Sequence, residues 1–85
     1  MKLNILFFAS LREELGSDRE VVELPDQMST VGDLVAWLGE RGEHWQAALA
    51  EERSLGIAVN QALANNETAL VDGAEVAFFP PVTGG

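Results

Sequence analysis

Two apolar segments at opposite ends of the chain alternate with the period of a strand, while a stretch between them repeats with the period of a helix. In the first segment Leu3, Ile5 and Phe7 point one way and Asn4, Leu6 and Phe8 the other. In the last, Ala74 to Phe79, Val76 and Phe78 share one face and Ala77 and Phe79 the other. Between them Val31, Leu34, Val35 and Leu38 fall at helical spacing. Such a stripe must be buried against something, and a sheet built from the flanking strands is the simplest partner. An α+β fold follows, with helices on one face of a mixed sheet.

The remaining punctuation fills in the order of elements. Ser10 is placed to cap a short helix, Leu11 to Leu15, that stops at Gly16. Arg19 to Leu24 reads as a second strand joined to the first by a long hairpin, although Val21 blurs its alternation. Thr30 and Asp33 resemble a capping box at the start of the main helix. A further helical stretch, about Glu43 to Glu51, carries Trp45, Ala48 and Leu49 on one side. Leu55 to Val59 reads as a strand, Asn60-Gln61 as a tight turn and Ala62 to Ala64 as its return. Val71-Asp72-Gly73 is a turn. At 85 residues the chain fits one domain, expected to span 1–79.

Composition narrows the chemistry. There is no cysteine, which excludes disulfides and a thiolate nucleophile, and with one histidine no metal site is expected. The net charge of −9 opposes binding to nucleic acid and to anionic membranes, because both need Lys and Arg to neutralise phosphate. A basic protein partner suits it better. The apolar start is too short for a membrane span and lacks the features of a signal peptide, so a cytoplasmic protein is expected. His44, beside Trp45, reads as a helix-surface or packing residue, and the pairs Glu13-Glu14 and Glu51-Glu52 as solvated charges rather than a catalytic dyad.

The sequence after the last strand, Pro80-Pro81-Val82-Thr83-Gly84-Gly85, is unusual. Pro80 and Pro81 favour a stiff, extended path, and Gly84 and Gly85 carry no side chain to obstruct a narrow channel. No side chain in this run is charged, so the carboxylate of Gly85 is its one ionised group. Extended, the run reaches roughly 20 Å, enough to place that carboxylate inside another protein while the globule stays outside. Residues 80–85 are therefore expected to form a flexible tail that inserts into a partner.

The run Phe78-Phe79-Pro80-Pro81-Val82-Thr83-Gly84-Gly85 closely resembles the C-terminal signature of the small-subunit family of molybdopterin synthase. Leu6-Phe7-Phe8-Ala9 with Leu11-Arg12-Glu13, Ala58-Val59-Asn60-Gln61 and Asp72-Gly73-Ala74-Glu75-Val76-Ala77 resemble the family in the same order; the middle, about Gln27 to Ser54, carries no such motif. The resemblance implies a ubiquitin-like β-grasp fold and a sulfur carrier. It implies that an E1-like adenylating enzyme uses ATP to activate the Gly85 carboxylate, which becomes a thiocarboxylate with sulfur mobilised from cysteine. The tail, Pro80, Pro81, Val82, Thr83 and Gly84, would then enter the large synthase subunit. There the terminus would give its sulfur to a cyclic pyranopterin precursor, forming the molybdopterin dithiolene. Two small and two large subunits would make a heterotetramer. The small chain would bind no cofactor itself and would leave most of the active site to the large subunit. If the first and last strands pair, Phe8 and Phe79 would form an apolar docking patch near the tail, with Arg12 beside it for an acidic partner group. Two other roles share the same terminal chemistry: a sulfur carrier for thiazole or tRNA thiolation, and a protein modifier attached to lysine.

Overall fold

The computed structural model describes residues 1–81. Five strands form one mixed sheet: β1 (Lys2–Phe7), β2 (Arg19–Glu23), β3 (Gly56–Val59), β4 (Ala62–Leu63) and β5 (Glu75–Phe79), in the spatial order β2-β1-β5-β3-β4. The two central strands, β1 and β5, run parallel, with Ile5 opposite Val76 and Phe7 opposite Phe78. The other pairings are antiparallel. Three helices, α1 (Ser10–Leu15), α2 (Val31–Gly39) and α3 (Glu43–Ala48), complete the β-grasp arrangement that the resemblance implies.

The alternation in β1 and β5 decides which face is covered. Leu3, Ile5, Phe7, Val76 and Phe78 are buried on the helix side together with Leu11, Val31, Leu34, Leu38 and Trp45. The Phe7 and Phe78 rings stack at 5.9 Å between centroids, and Trp45 meets Phe7 edge-on at 5.7 Å. Offset and edge-on ring pairs of this kind add about 0.5–1.5 kcal/mol beyond their burial. No side chain in this core is polar or charged.

α2 is the well-anchored helix. The Thr30 hydroxyl accepts from the Asp33 N–H at 3.2 Å, while the Asp33 carboxylate accepts from the Ser29 and Thr30 N–H groups. The expected capping box is therefore present, with Asp in place of Glu. The two remaining free donors of the first turn go to another segment: Val31 N–H donates to the Thr68 carbonyl and Gly32 N–H to that of Asn66. This ties the β4–β5 connection to the helix start.

Several expectations are corrected. Ser10 is the first residue of α1 rather than its cap; Ala9 holds the cap position, at φ 52°, ψ −129°, with no side-chain bond. The chain turns sharply there because it must leave the sheet directly after Phe8. The third helix ends at Ala48, and a 3₁₀ turn, Glu51–Arg53, replaces its expected last turn. Val21 lies on the uncovered face, 65% exposed, so the alternation of β2 is in fact regular. The turn at Asn60-Gln61 has both residues at positive φ, as a two-residue hairpin of the mirror-image type requires.

Candidate functional site

The face of the sheet turned away from the helices has no covering layer among the described residues. Register alone places a row across it: Leu6 lies beside Ala77, Ala77 beside Ala58, and Ala58 beside Leu63. The Phe8 N–H donates to the Phe78 carbonyl at 3.0 Å, which carries the parallel ladder one step past Phe7 and sets Phe8 next to Phe79. Phe79 in turn pairs with Gly56. A second row, Phe8–Phe79–Gly56, thus runs along the end of the sheet from which the chain continues into Pro80 and Pro81.

The two rings of this row are not equivalent. Phe8 is 46% exposed, whereas Phe79 is half-buried. The apolar patch expected at this end is thus carried more by Phe8 than by Phe79. Phe79 lies down over Gly56, where a β-carbon would come within 1.9 Å of its ring. Gly56 was not singled out from the sequence. The signal was available, because a glycine inside a strand often marks close approach by another group.

Arg12 sits in α1, which begins two residues after Phe8, and its exposed side chain forms no ion pair among the described residues. Its carbonyl accepts from the Gly16 and Ser17 N–H groups, and Gly16 closes the helix in the left-handed conformation as expected. The structure thus brings Phe8, Phe79, Arg12 and Pro80 to one end of the molecule. Pro80 is half-buried and Pro81 exposed. Val82, Thr83, Gly84 and Gly85 lie outside the described residues.

No group of His, Asp and Glu able to hold a metal occurs among the described residues. His44 is exposed and tilted against Trp45. Glu14 accepts from both terminal guanidinium nitrogens of Arg53, at 2.6 and 2.7 Å, which holds its carboxyl below the usual range. Arg53 binds it from the 3₁₀ turn and locks that turn to α1. These acids are structural or solvated.

The whole chain has matching relatives. The ThiS family model matches residues 5–85, a span that holds the Phe8 row, Arg12 and the terminal glycines. The chain belongs to the ThiS family. It is 45% identical to the molybdopterin synthase sulfur carrier subunit of Haemophilus influenzae, over 98% of this chain and 99% of that one. Among solved structures it resembles SAMP1 of Haloferax volcanii, a small archaeal modifier protein, at 29% identity and a TM-score of 0.77 with both chains fully covered. It also resembles a chain in the complex of subunits 1 and 2 of the molybdopterin-converting factor of Helicobacter pylori, at 26% identity and a TM-score of 0.64, again over both chains in full. Both neighbours carry the fold described above. No helix of the described residues is long and apolar enough to cross a membrane.

Proposed function

We propose that this protein is the sulfur carrier subunit of a molybdopterin synthase, with the Gly85 carboxyl group as its working group. The observation that carries the reading is the Phe8–Phe79 row, set on an uncovered sheet face at the end where the chain runs on into Pro80 and Pro81. Full-length similarity to a sulfur carrier subunit supports it.

The chemistry needs little from this chain. A carboxylate is a poor electrophile because its oxygen leaves badly. Attack of a Gly85 oxygen on the α-phosphorus of ATP, with loss of pyrophosphate, makes an acyl-adenylate. Hydrosulfide, or a persulfide whose S–S bond a thiol then reduces, displaces AMP and leaves a thiocarboxylate. Transfer of that sulfur to the pyranopterin precursor, with water cleaving the acyl–sulfur bond, returns the carboxylate. An E1-like adenylating enzyme catalyses the first steps and the large synthase subunit the last. Two small and two large subunits form the working complex, in the cytoplasm. Phe8 and Phe79 dock on each partner in turn, Arg12 meets an acidic group at the rim, and the tail, Pro80 to Gly84, inserts into the large subunit.

Intact mass spectrometry tests this. Incubated with the adenylating enzyme, ATP and a sulfur donor, the full chain gains the mass of sulfur replacing oxygen, and a chain lacking Gly85 does not. An unchanged mass in the presence of active enzyme removes the carrier reading. Complementation of a strain lacking molybdenum cofactor, but not of one lacking thiazole, separates this pathway from the other carriers.

The likeness to SAMP1 favours one second reading, a modifier joined to lysine through the same adenylate. Adducts that survive denaturant and reductant would establish it. Lys2 is the only lysine in the chain, so self-linked products would have one attachment site.

A further inference from the structure

The outer edge of β2 is unpaired among the described residues, and its hydrogen-bonding pattern is fixed by what lies on the other side. Met1 and Leu24 exchange backbone bonds in both directions at 2.8 Å, and Phe7 N–H donates to the Asp18 carbonyl at 2.9 Å. In an antiparallel ladder the bonded residues alternate. Residues 18, 20, 22 and 24 therefore turn their backbone groups toward β1. Arg19, Val21 and Glu23 turn theirs outward, and the side chains of these same three stand exposed on the uncovered face.

This edge is complementary to itself. A second copy laid antiparallel with Val21 against Val21 sets Arg19 opposite Glu23 at both ends. All three residues present N–H and carbonyl groups that no described backbone group engages, at positions that bond across the pair, about six backbone bonds in total. Other alignments do not do this. A parallel copy in register sets Arg19 on Arg19 and Glu23 on Glu23. An antiparallel copy slipped by two residues leaves one end of each strand without its opposite charge. Like charges directly opposite on neighbouring strands repel, and unlike charges attract. Edge strands are usually protected by charge; here the charges select one partner arrangement.

We propose that β2 is a homotypic docking edge through which two copies of this chain join their sheets about a two-fold axis at Val21. The axis stands perpendicular to the sheet, so both uncovered faces lie on the same side. The Phe8–Phe79 rows, at the ends of β1 and β5, stay open. Two internal contacts accommodate the pairing. The Glu23 carboxylate lies 3.0 Å from the Met1 amine, which also has the Leu24 carbonyl and Asp26 to rely on. The Arg19 carbonyl accepts from the Ser17 hydroxyl at 3.3 Å and retains a second lone pair. Glu20 holds Arg41 at 2.8 Å on the helix side, opposite to the Arg19 and Glu23 side chains. The pairing is small, in the weak and transient class of interfaces.

Sedimentation of the full chain from micromolar to millimolar concentration tests the proposal, with charge reversals of the paired ends. The natural chain shifts reversibly toward twice the monomer mass. Arg19→Glu sets carboxylate against carboxylate at both ends of the pairing, and Glu23→Arg sets guanidinium against guanidinium. Each reversal alone weakens self-association by about tenfold or more. An equimolar mixture of the two variants restores association, because every facing pair is then unlike in charge. That recovery also shows that neither variant failed by misfolding. A natural chain that remains monomeric throughout overturns the proposal. So does a natural dimer that either reversal leaves intact, or variants that do not associate when mixed.

Discussion

The two faces of the sheet use similar residues for opposite ends. On the helix side Phe7 and Phe78 are buried to 2% and 0% exposure and stack on each other under Trp45. One residue further along each strand, Phe8 and Phe79 are the same kind of pair in the same register, with no layer above them among the described residues. A small domain has little stability to spare. Aromatic rings left outside the core, beside the run into Pro80 and Pro81, fit the docking role proposed for that surface.

Alanine substitutions on the two faces should separate them most strongly. Phe78→Ala empties a fully enclosed site and should cost about 3–5 kcal/mol, a large share of the stability of a domain this size. Its thermal midpoint should fall by more than about 12 °C. Phe79→Ala, on the other face, should cost about 1 kcal/mol while lowering affinity for the large subunit by about tenfold or more, as calorimetric titration would read. Equal stability losses at the two positions would show that the uncovered face is simply more core.

Gly56 is what lets one of the outer rings lie flat. Gly56→Ala drives a β-carbon into Phe79, whose ring must swing away, at a cost of about 1–3 kcal/mol in denaturant unfolding. The strain has a single origin, so combining Gly56→Ala with Phe79→Ala should recover most of it. Simple addition of the two losses would mean that Gly56 serves its strand in some other way.

Most of the covered face was legible in the sequence and much of the uncovered one was not. Period-two spacing in Leu3, Ile5 and Phe7 and helical spacing in Val31, Leu34 and Leu38 are local signals, and each reports its own burial. Thr30 with Asp33, and Gly16, mark helix ends through short-range bonds that neighbouring residues dictate. The parallel pairing of β1 with β5 joins the two ends of the chain and leaves no local trace; it came from the resemblance. Arg53 on Glu14, Arg41 on Glu20 while stacked on Trp45, and Phe79 over Gly56 leave no local trace either. Each depends on which strands and helices end up adjacent. Ser10 misled because a serine before an apolar helical stretch usually caps it, whereas here the chain is still turning out of the sheet at Ala9.

Ala9 offers a smaller test of the boundary between the faces. Its φ of 52° with ψ of −129° suits glycine, and it lies between exposed Phe8 and the first turn of α1. Ala9→Gly should relieve roughly 1 kcal/mol of strain, partly offset by the greater freedom of the unfolded chain, and raise the thermal midpoint slightly. If partner affinity falls at the same time, the strained alanine is holding Phe8 and Arg12 in the positions proposed for docking. If affinity is unchanged, the strain serves only the turn.

The smallest effect lies on the covered side, at the start of α2. Backbone bonds from Ser29 and then Thr30 hold the Asp33 carboxyl below its usual range. A group depressed on folding contributes stability that is complete above its unfolded value and disappears as pH falls through its folded one. Stability should therefore decline below the ordinary aspartate range, and the decline should be shallower in Asp33→Asn, which cannot titrate. Thr30→Ala removes the reciprocal half of the box at a cost of about 1 kcal/mol without a titration of its own. Because Val31 and Gly32 tie the same turn to the β4–β5 connection, hydrogen exchange in both variants should rise at residues 66–70 as well as in α2. Faster exchange confined to α2 would mean that the loop holds itself, through the Asn65 and Thr68 bonds, and only borrows the helix end.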